Sequence, residues 1–295
     1  MKVVSMTALA LFLFVTSCKQ EETISFSSDD NSNLQSDASM DAQLEDVSDM
    51  SGIAMSADAG TMTGGRSSEG ARDIKGNITD GRFNCATVIL EFGPNNNPPT
   101  SIQGFIHIDF GTGCTGPNGR VRKGKIHIAF NGARFMPGSS VTITTEDYYV
   151  DGIRIDATRT EVNSTASTED APQFSINEEV MVTFLDGTTA DRTSTRTRVW
   201  NRMANPLEDT WTVSGNAVGT TRKGVDYVMT ITKPLVFKRA CALESKLVMP
   251  VEGTKELVIG TKKITTDFGS GACDTIVTIT INGRSKDIQI SPNGD

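Results

Sequence analysis

The chain reads as an all-β protein, an antiparallel meander of hairpins forming a sandwich or curled sheet. Three observations predict it: period-two alternation, turn dipeptides at short intervals, and no stretch with convincing long-range helical periodicity. From Phe83 onward apolar residues alternate with Thr and charged residues, as in Ile106-His107-Ile108-Asp109-Phe110, Lys125-Ile126-His127-Ile128, Val141-Thr142-Ile143-Thr144 and Val277-Thr278-Ile279-Thr280-Ile281. Such alternation sends successive side chains to opposite faces of a strand. Asn131-Gly132, Asp151-Gly152, Asp186-Gly187 and Asn282-Gly283 lie between such runs, and these dipeptides accept the positive φ values that tight hairpin turns demand. The 213 residues from Phe83 to Asp295 suffice to bury a core as one unit. One-faced alternation without aromatic girdles fits a soluble sheet better than a membrane barrel.

The first 82 residues follow other rules. Met1 to Ser17 has the layout of a signal peptide, with Lys2 as the positive start and an apolar run from Ala8 to Val15. That run is too short to span a bilayer. It ends in Val15-Thr16-Ser17-Cys18, which resembles the lipobox cut by the lipoprotein signal peptidase. The resemblance implies cleavage before Cys18, a diacylglycerol on its thiol and a third chain on the new amine. Burying acyl carbons is worth roughly 0.8 kcal/mol per methylene, so several chains hold firmly where one holds marginally. Lys19-Gln20-Glu21-Glu22 resembles the charged tetrad that sends Bacteroidota lipoproteins to the outer face of the outer membrane. It implies a lipid-anchored outer-membrane location at the cell surface, with the periplasmic face as the alternative.

Lys19 to Arg82 holds 13 acids against 5 bases, whereas Phe83 to Asp295 holds 23 against 22, so the net charge of −8 sits almost wholly in the first stretch. Rich in Ser, Gly and Asp and poor in aromatics, residues 18–82 carry the composition of a solvated tether. Met40, Leu44 and Val47 recur at helical spacing after Asp37; a transient helix within a spacer accounts for them better than a stable amphipathic one.

The four cysteines beyond Cys18 fall in two similar frames. Cys85-Ala86-Thr87 leads to Asp109-Phe110-Gly111-Thr112-Gly113-Cys114, and Cys241-Ala242-Leu243 leads to Asp267-Phe268-Gly269-Ser270-Gly271-Ala272-Cys273. Two related units, 83–131 and 239–290, are a fair reading of an internal duplication. Four cysteines allow three pairings; the repeat favours Cys85 with Cys114 and Cys241 with Cys273. An exported chain meets an oxidising compartment where such bridges persist. On the chain-entropy model each loop of this size contributes very roughly 3.5 kcal/mol. Zinc is disfavoured because close CxxC spacing is missing.

The stretch DFGTGCTGPNGRVRKGKIHI, the Tyr148-Tyr149-Val150-Asp151-Gly152 turn, the Ser194-Thr195-Arg196-Thr197-Arg198 strand and the closing DFGSGACD with TITINGRSKDI resemble a family of uncharacterised Bacteroidota lipoproteins with a C-terminal all-β domain. The resemblance covers nearly all of Phe83 to Ile290 and implies location and fold, with no activity attached. Ala272 is an extra position before Cys273, which departs from strict equivalence of the two loops.

Gly111-Thr112-Gly113-Cys114-Thr115-Gly116 satisfies GxGxxG, yet Pro117-Asn118-Gly119 leads into another strand, so no helix N-terminus is there to hold a pyrophosphate. Its glycines are better read as permitting a tight, disulfide-bearing turn. His107 and His127 should face each other across a hairpin, with Asp109 opposite Lys125; as metal ligands they are weak candidates, and a solvated hairpin face is the simpler account. Arg192, Arg196, Arg198, Trp200 and Arg202 share one face of a strand by period-two counting. They form the candidate ligand face, able to grip an acidic glycan or lipid phosphate. A hairpin turning at Asp186-Gly187 would set Glu179 opposite Ser194, diagonal to Arg192 and Arg196, so cross-strand ion pairs are the simpler account.

No nucleophile elbow or HExxH is present, and the near-neutral folded region disfavours nucleic acid. The expectation is a membrane-anchored, non-catalytic binding module without cofactor or nucleotide, contacting a polysaccharide or an envelope protein. The alternatives are a periplasm-facing envelope structural or assembly factor and, third, a glycan-cleaving enzyme using two carboxylates. Cys18→Ala should move the protein from the membrane pellet to the soluble fraction and abolish incorporation of a labelled fatty acid. Unchanged pelleting without label would remove the anchor from the account.

Overall fold

The computed structural model describes residues 26–57, 70–94, 102–117, 119–166, 171–244 and 248–291. The signal peptide, Cys18, the Lys19–Glu22 tetrad and Asn118 lie outside the described residues. Among the described residues fifteen strands build one antiparallel sheet. They are β1 (Ala71–Asp73), β2 (Thr87–Phe92), β3 (Gln103–Asp109), β4 (Cys114–Thr115), β5 (Val121–Asn131), β6 (Ser140–Val150), β7 (Ile153–Asn163), β8 (Gln173–Thr183), β9 (Thr189–Asn201), β10 (Thr210–Thr220), β11 (Asp226–Lys238), β12 (Glu252–Ile259), β13 (Lys262–Ser270), β14 (Ile276–Ile281) and β15 (Arg284–Gln289). Each pairs with the next in sequence, except that β3 pairs β5 directly and β4 pairs β5 beside that path. The all-β meander is therefore a curled sheet, not a sandwich, and its two ends do not pair with each other.

Two of the four turn dipeptides make two-residue hairpins. Val150 pairs with Ile153 around Asp151-Gly152, and Ile281 with Arg284 around Asn282-Gly283. Both residues of each dipeptide have positive φ, the geometry whose twist matches the flanking strands. Asp186-Gly187 sits instead in a five-residue connection closed by the Thr183–Thr189 pair. That connection is centred on Asp186 instead of between Asp186 and Gly187, which shifts the register, so Glu178, not Glu179, stands opposite Ser194.

The concave side of the sheet wraps a helix, α1 (Ser28–Ser56). Residues 28–56 of the acidic stretch are thus no tether but the axis of the domain. Ser27 caps the helix through a reciprocal capping box with Asp30, satisfying two of its unpaired N-terminal groups. Its apolar residues are spread round the axis instead of forming one stripe, because the sheet covers every side. Met40, Leu44, Val47 and Met50 pack with Val88, Ile106, Ile128, Val150 and Ile155 of the early strands, whereas Leu34, Ala38 and Ala42 pack with Trp211, Val213, Met229, Leu235 and Ile279 of the later ones. The helix therefore divides the interior into two apolar cores. A polar helix of this length is a poor isolated structure, which is why its composition reads as a spacer.

The outer face is polar. One register row runs Thr142, Thr160, Asn177, Thr195, Asn216, Thr230 across β6 to β11, a face that water can solvate.

The pairing of both cysteine frames holds: Cys85 is bridged to Cys114 and Cys241 to Cys273, with Cα separations of 5.5 and 5.2 Å. In both frames the Asp of DFG accepts the amide N–H of the following Gly, Asp109 from Gly111 at 2.7 Å and Asp267 from Gly269 at 2.8 Å. Both glycines have positive φ, and Phe110 and Phe268 are both buried. The two frames thus share the geometry of the DFG turn, although their cysteines are 29 and 32 positions apart.

β11 bulges between Thr230 and Leu235, where it carries the extra residues against the Val213–Asn216 segment of β10. Gly215 has φ +138°, and a Cβ there would lie 2.3 Å from the Thr195 carbonyl oxygen. Gly215→Ala should therefore lower stability by about 2–3 kcal/mol, from backbone strain and a clash with main chain that cannot rotate away. Urea unfolding followed by tryptophan fluorescence measures it; an unchanged midpoint would mean the bulge relaxes freely.

Candidate functional site

The arginines singled out on β9 do not face solvent. Arg192, Arg196, Arg198 and Trp200 all point inward and are buried, while Arg202, just beyond the strand, is exposed. The period was read correctly but the face was not, because the alternating Thr and Arg sets are both polar and period two alone does not say which side is covered. The cross-strand pair exists with Glu178: Arg196 Nε lies 3.5 Å from its carboxylate. Most of the partners are on α1, which sequence reasoning did not bring to this strand.

The helix presents Asp37, Asp41, Glu45 and Asp49 at intervals of four. Asp41 Oδ1 meets Arg192 Nη2 at 2.9 Å and Arg196 Nη2 at 2.6 Å; Glu45 pairs with Arg198 and lies near Arg159. Asp46, one residue on, takes Arg82 at 3.0 Å and Arg122 at 2.6 Å. Lys255 on β12 reaches both Asp37 and Asp41. A spacing of four in a helix is about 6 Å and of two in a strand about 6.6 Å, so acids at i+4 and bases at i+2 keep nearly in step. That match is the signal that could have located the contact. Four carboxylates in an i, i+4 line repel one another on a solvated helix, which makes the line costly without a cationic partner.

Strand residues complete the network. Arg159 of β7 donates to Glu161 at 2.6 Å and pairs with Glu178. Burial pushes both glutamates up, but the charge of Arg159 outweighs it and holds each at about 2. Arg134, from the loop after β5, has a different setting. Burial, reinforced by the nearby Arg198 and Arg239, brings it down to about 10 despite the opposing charge of Glu161. Its guanidinium lies 4.9 Å from the Trp200 ring and fills the space where a Cβ on Gly52 would stand. Trp200 in turn stacks on Trp211 at 5.2 Å, and Trp211 on Phe237 at 5.5 Å; Arg202 covers Phe135 at 4.1 Å.

Near the C-terminal end of α1 a cavity of about 510 Å³ opens, lined by Ile53, Ile78, Pro117 and Leu207 with Asp49, Asp80, Arg82 and Arg239. Arg82 precedes Cys85 in the first disulfide frame and Arg239 precedes Cys241 in the second, on α2 (Arg239–Glu244). They clamp Asp49 from two sides, at 2.6 and 3.2 Å. Arg239 Nε is buried without a hydrogen-bond acceptor. Asp80 accepts from Arg82 at 2.8 Å; burial pushes its carboxyl up, and the bonds and charge of Arg82 hold it below the usual range nonetheless.

His107 and His127 do face each other, with Asp109 opposite Lys125. Their Nδ1 atoms are 2.7 Å apart, and His127 Nε2 is 2.9 Å from Glu146. Partial burial and the charge of His127 hold His107 below its ordinary value. Both Nδ1 atoms are engaged with each other, so the pair reads as a hydrogen-bonded hairpin face. Among the described residues no group of three or more His, Cys, Asp or Glu is arranged to hold a metal ion. The GxGxxG stretch leads from β3 into β4 and β5, consistent with a turn.

The chain matches no family model, no curated relative and no solved structure. Among the described residues no helix is long and apolar enough to cross a membrane.

The depressed carboxylates fix the sign of the pH response. Glu161 and Glu178 titrate at about 2 when folded and near ~4.3 when unfolded. The stability they contribute is complete above the unfolded value and lost as pH falls toward 2. The urea midpoint should hold level from pH 8 to about pH 5, then fall steeply below pH 4. A fall that sets in just below the ordinary histidine value would assign the dependence to His107 instead.

Proposed function

We propose that the protein is a lipid-anchored, non-catalytic binding protein of the bacterial outer membrane, of the kind its signal sequence and its resemblance to Bacteroidota lipoproteins imply. Its ligand site is the cavity beside the C-terminal end of α1, and the ligand class is an acidic polysaccharide. The observation that carries the reading is Arg239, which lines a cavity with an apolar wall and whose buried Nε has no hydrogen-bond acceptor. A charged donor of this kind gains most from an anionic acceptor. Leu207 and Met203, both exposed near that end of the sheet, and the Arg202–Phe135 pair add apolar and cationic surface. The third expectation, glycan cleavage, finds little support here: the cavity's Asp80 is held ionised by Arg82, whereas a glycosidase acid needs a carboxyl with a raised pKa.

A second reading, a periplasm-facing assembly factor, is favoured by the short link to the anchor. Only seven residues separate Cys18 from Phe26 at the foot of the helix, a reach of at most about 30 Å. A domain held that close to its own membrane is well placed for partners in the same leaflet.

Two measurements test these readings. The mature protein should bind acidic polysaccharides in preference to neutral ones, more weakly as salt rises, and Arg239→Ala should weaken binding about tenfold, or about 1.4 kcal/mol. Equal binding to neutral polymers, or an unaffected variant, would remove the cavity from the proposal. Trp200→Ala is not a clean probe, since Trp200 is a core residue. Protease added to intact cells should destroy the domain; survival until lysis would favour the periplasmic reading.

A further inference from the structure

Lys255 is the only buried lysine among the described residues. Its Nζ donates to Asp41 Oδ2 at 2.7 Å and stands in ion-pair contact with Asp37 Oδ2. That second oxygen is buried yet accepts no hydrogen bond, so the amine lies against the Asp37 carboxylate outside donor geometry. The other Asp37 oxygen accepts from Arg192 Nη1 at 3.3 Å. Asp41 is held in turn by Arg192 and Arg196. The ring of Phe268 lies 5.6 Å from the amine, and Leu257 and Ile264 belong to the same apolar core.

We propose that Lys255 and Asp37 condense into an intramolecular amide that welds the anchor-bearing helix to β12, with Asp41 as proton carrier. One proton passes from the Lys255 ammonium, through Asp41, to Asp37 Oδ2, leaving a neutral amine beside a neutral carboxylic acid. The amine lone pair attacks Asp37 Cγ, the C–N bond forms, and the carbonyl pair moves onto Oδ1, where Arg192 faces the developing charge. Asp41 then takes a proton from the nitrogen and returns it to the departing hydroxyl; the Cγ–Oδ2 bond breaks and water leaves. Ammonium and carboxylate become amide and water, with no oxidant, reductant or co-reactant.

Two general effects favour the step. Fixing nucleophile and electrophile in contact replaces a bimolecular encounter, an advantage reaching an effective concentration on the order of 10⁵ M or more in well-oriented pairs. Condensation also removes one buried ion pair, whose desolvation is costly. Asp41 keeps two arginine partners afterwards, so the surrounding charges stay matched.

Peptide mapping of the reduced mature protein decides the matter. No Lys or Arg lies between Lys19 and Arg66, so trypsin releases the helix as Gln20–Arg66; the other partner lies within Leu247–Lys262, which contains Lys255. The expected product is these two peptides joined, one water lighter than their sum, with no cleavage after Lys255. Lys255→Arg should give the linear peptides only. Asp37→Asn should restore the same branched product by expelling ammonia instead of water. A folded wild-type protein that yields linear Gln20–Arg66 and cuts cleanly after Lys255 would overturn the proposal, whatever the variants do.

Discussion

The fold depends on a match of charge between a helix and the sheet around it. Without the arginines of β5, β7 and β9 and Lys255 of β12, α1 would be an acidic peptide with no reason to leave water. Without the acids of α1, the sheet would enclose several cations in a dry interior. Neither half is stable in that form, since an isolated buried charge is far more costly than a buried pair. Folding of the two is therefore one event.

Such a network is weak evidence for large net stability, because desolvating each ion offsets much of the attraction it gains. What it supplies is register. An apolar helix inside a wide sheet could slide or rotate with little penalty; here a shift by one residue would put Met40 or Ala42 in the place of Asp41 and take the carboxylate from Arg192 and Arg196. The two apolar cores on either side of the helix supply the burial that drives association, and the charges select one arrangement among those that burial alone would allow.

The strands, both two-residue hairpins and both disulfides were legible in the sequence because each is a local pattern: alternation, Asp-Gly or Asn-Gly, and a repeated cysteine frame. The helix was half legible. Met40, Leu44 and Val47 announced helical spacing, and all three pack into one core, but the flanking Ser and Asp residues carried the composition of a solvated chain. Composition rules assume that polar residues face water, and a helix enclosed by oppositely charged strands breaks that assumption. The same assumption put the β9 arginines outside. The two errors are one: each misplaced partner was the explanation for the other, and a single helix or strand viewed alone contains neither. The Glu178 register was missed for a smaller reason, the five-residue connection centred on Asp186.

The position of the helix also determines how its first turn is held. At the N-terminal end of α1, Asp30 accepts from Lys262 at 2.7 Å and the Gln35 side chain bonds the main chain at Gln289 and Ser291. A pull on that end would be applied along the helix axis. To move the helix, that pull must shear ion pairs on β7, β9 and β12 together, because all of them grip the same cylinder within a few turns. Peeling one hairpin from the edge of a sheet breaks its bonds in succession; drawing a charged axis out of its sleeve breaks them at once and exposes every partner left behind. The acidic helix is thus the most interior element of the fold, and its charge is what holds it there.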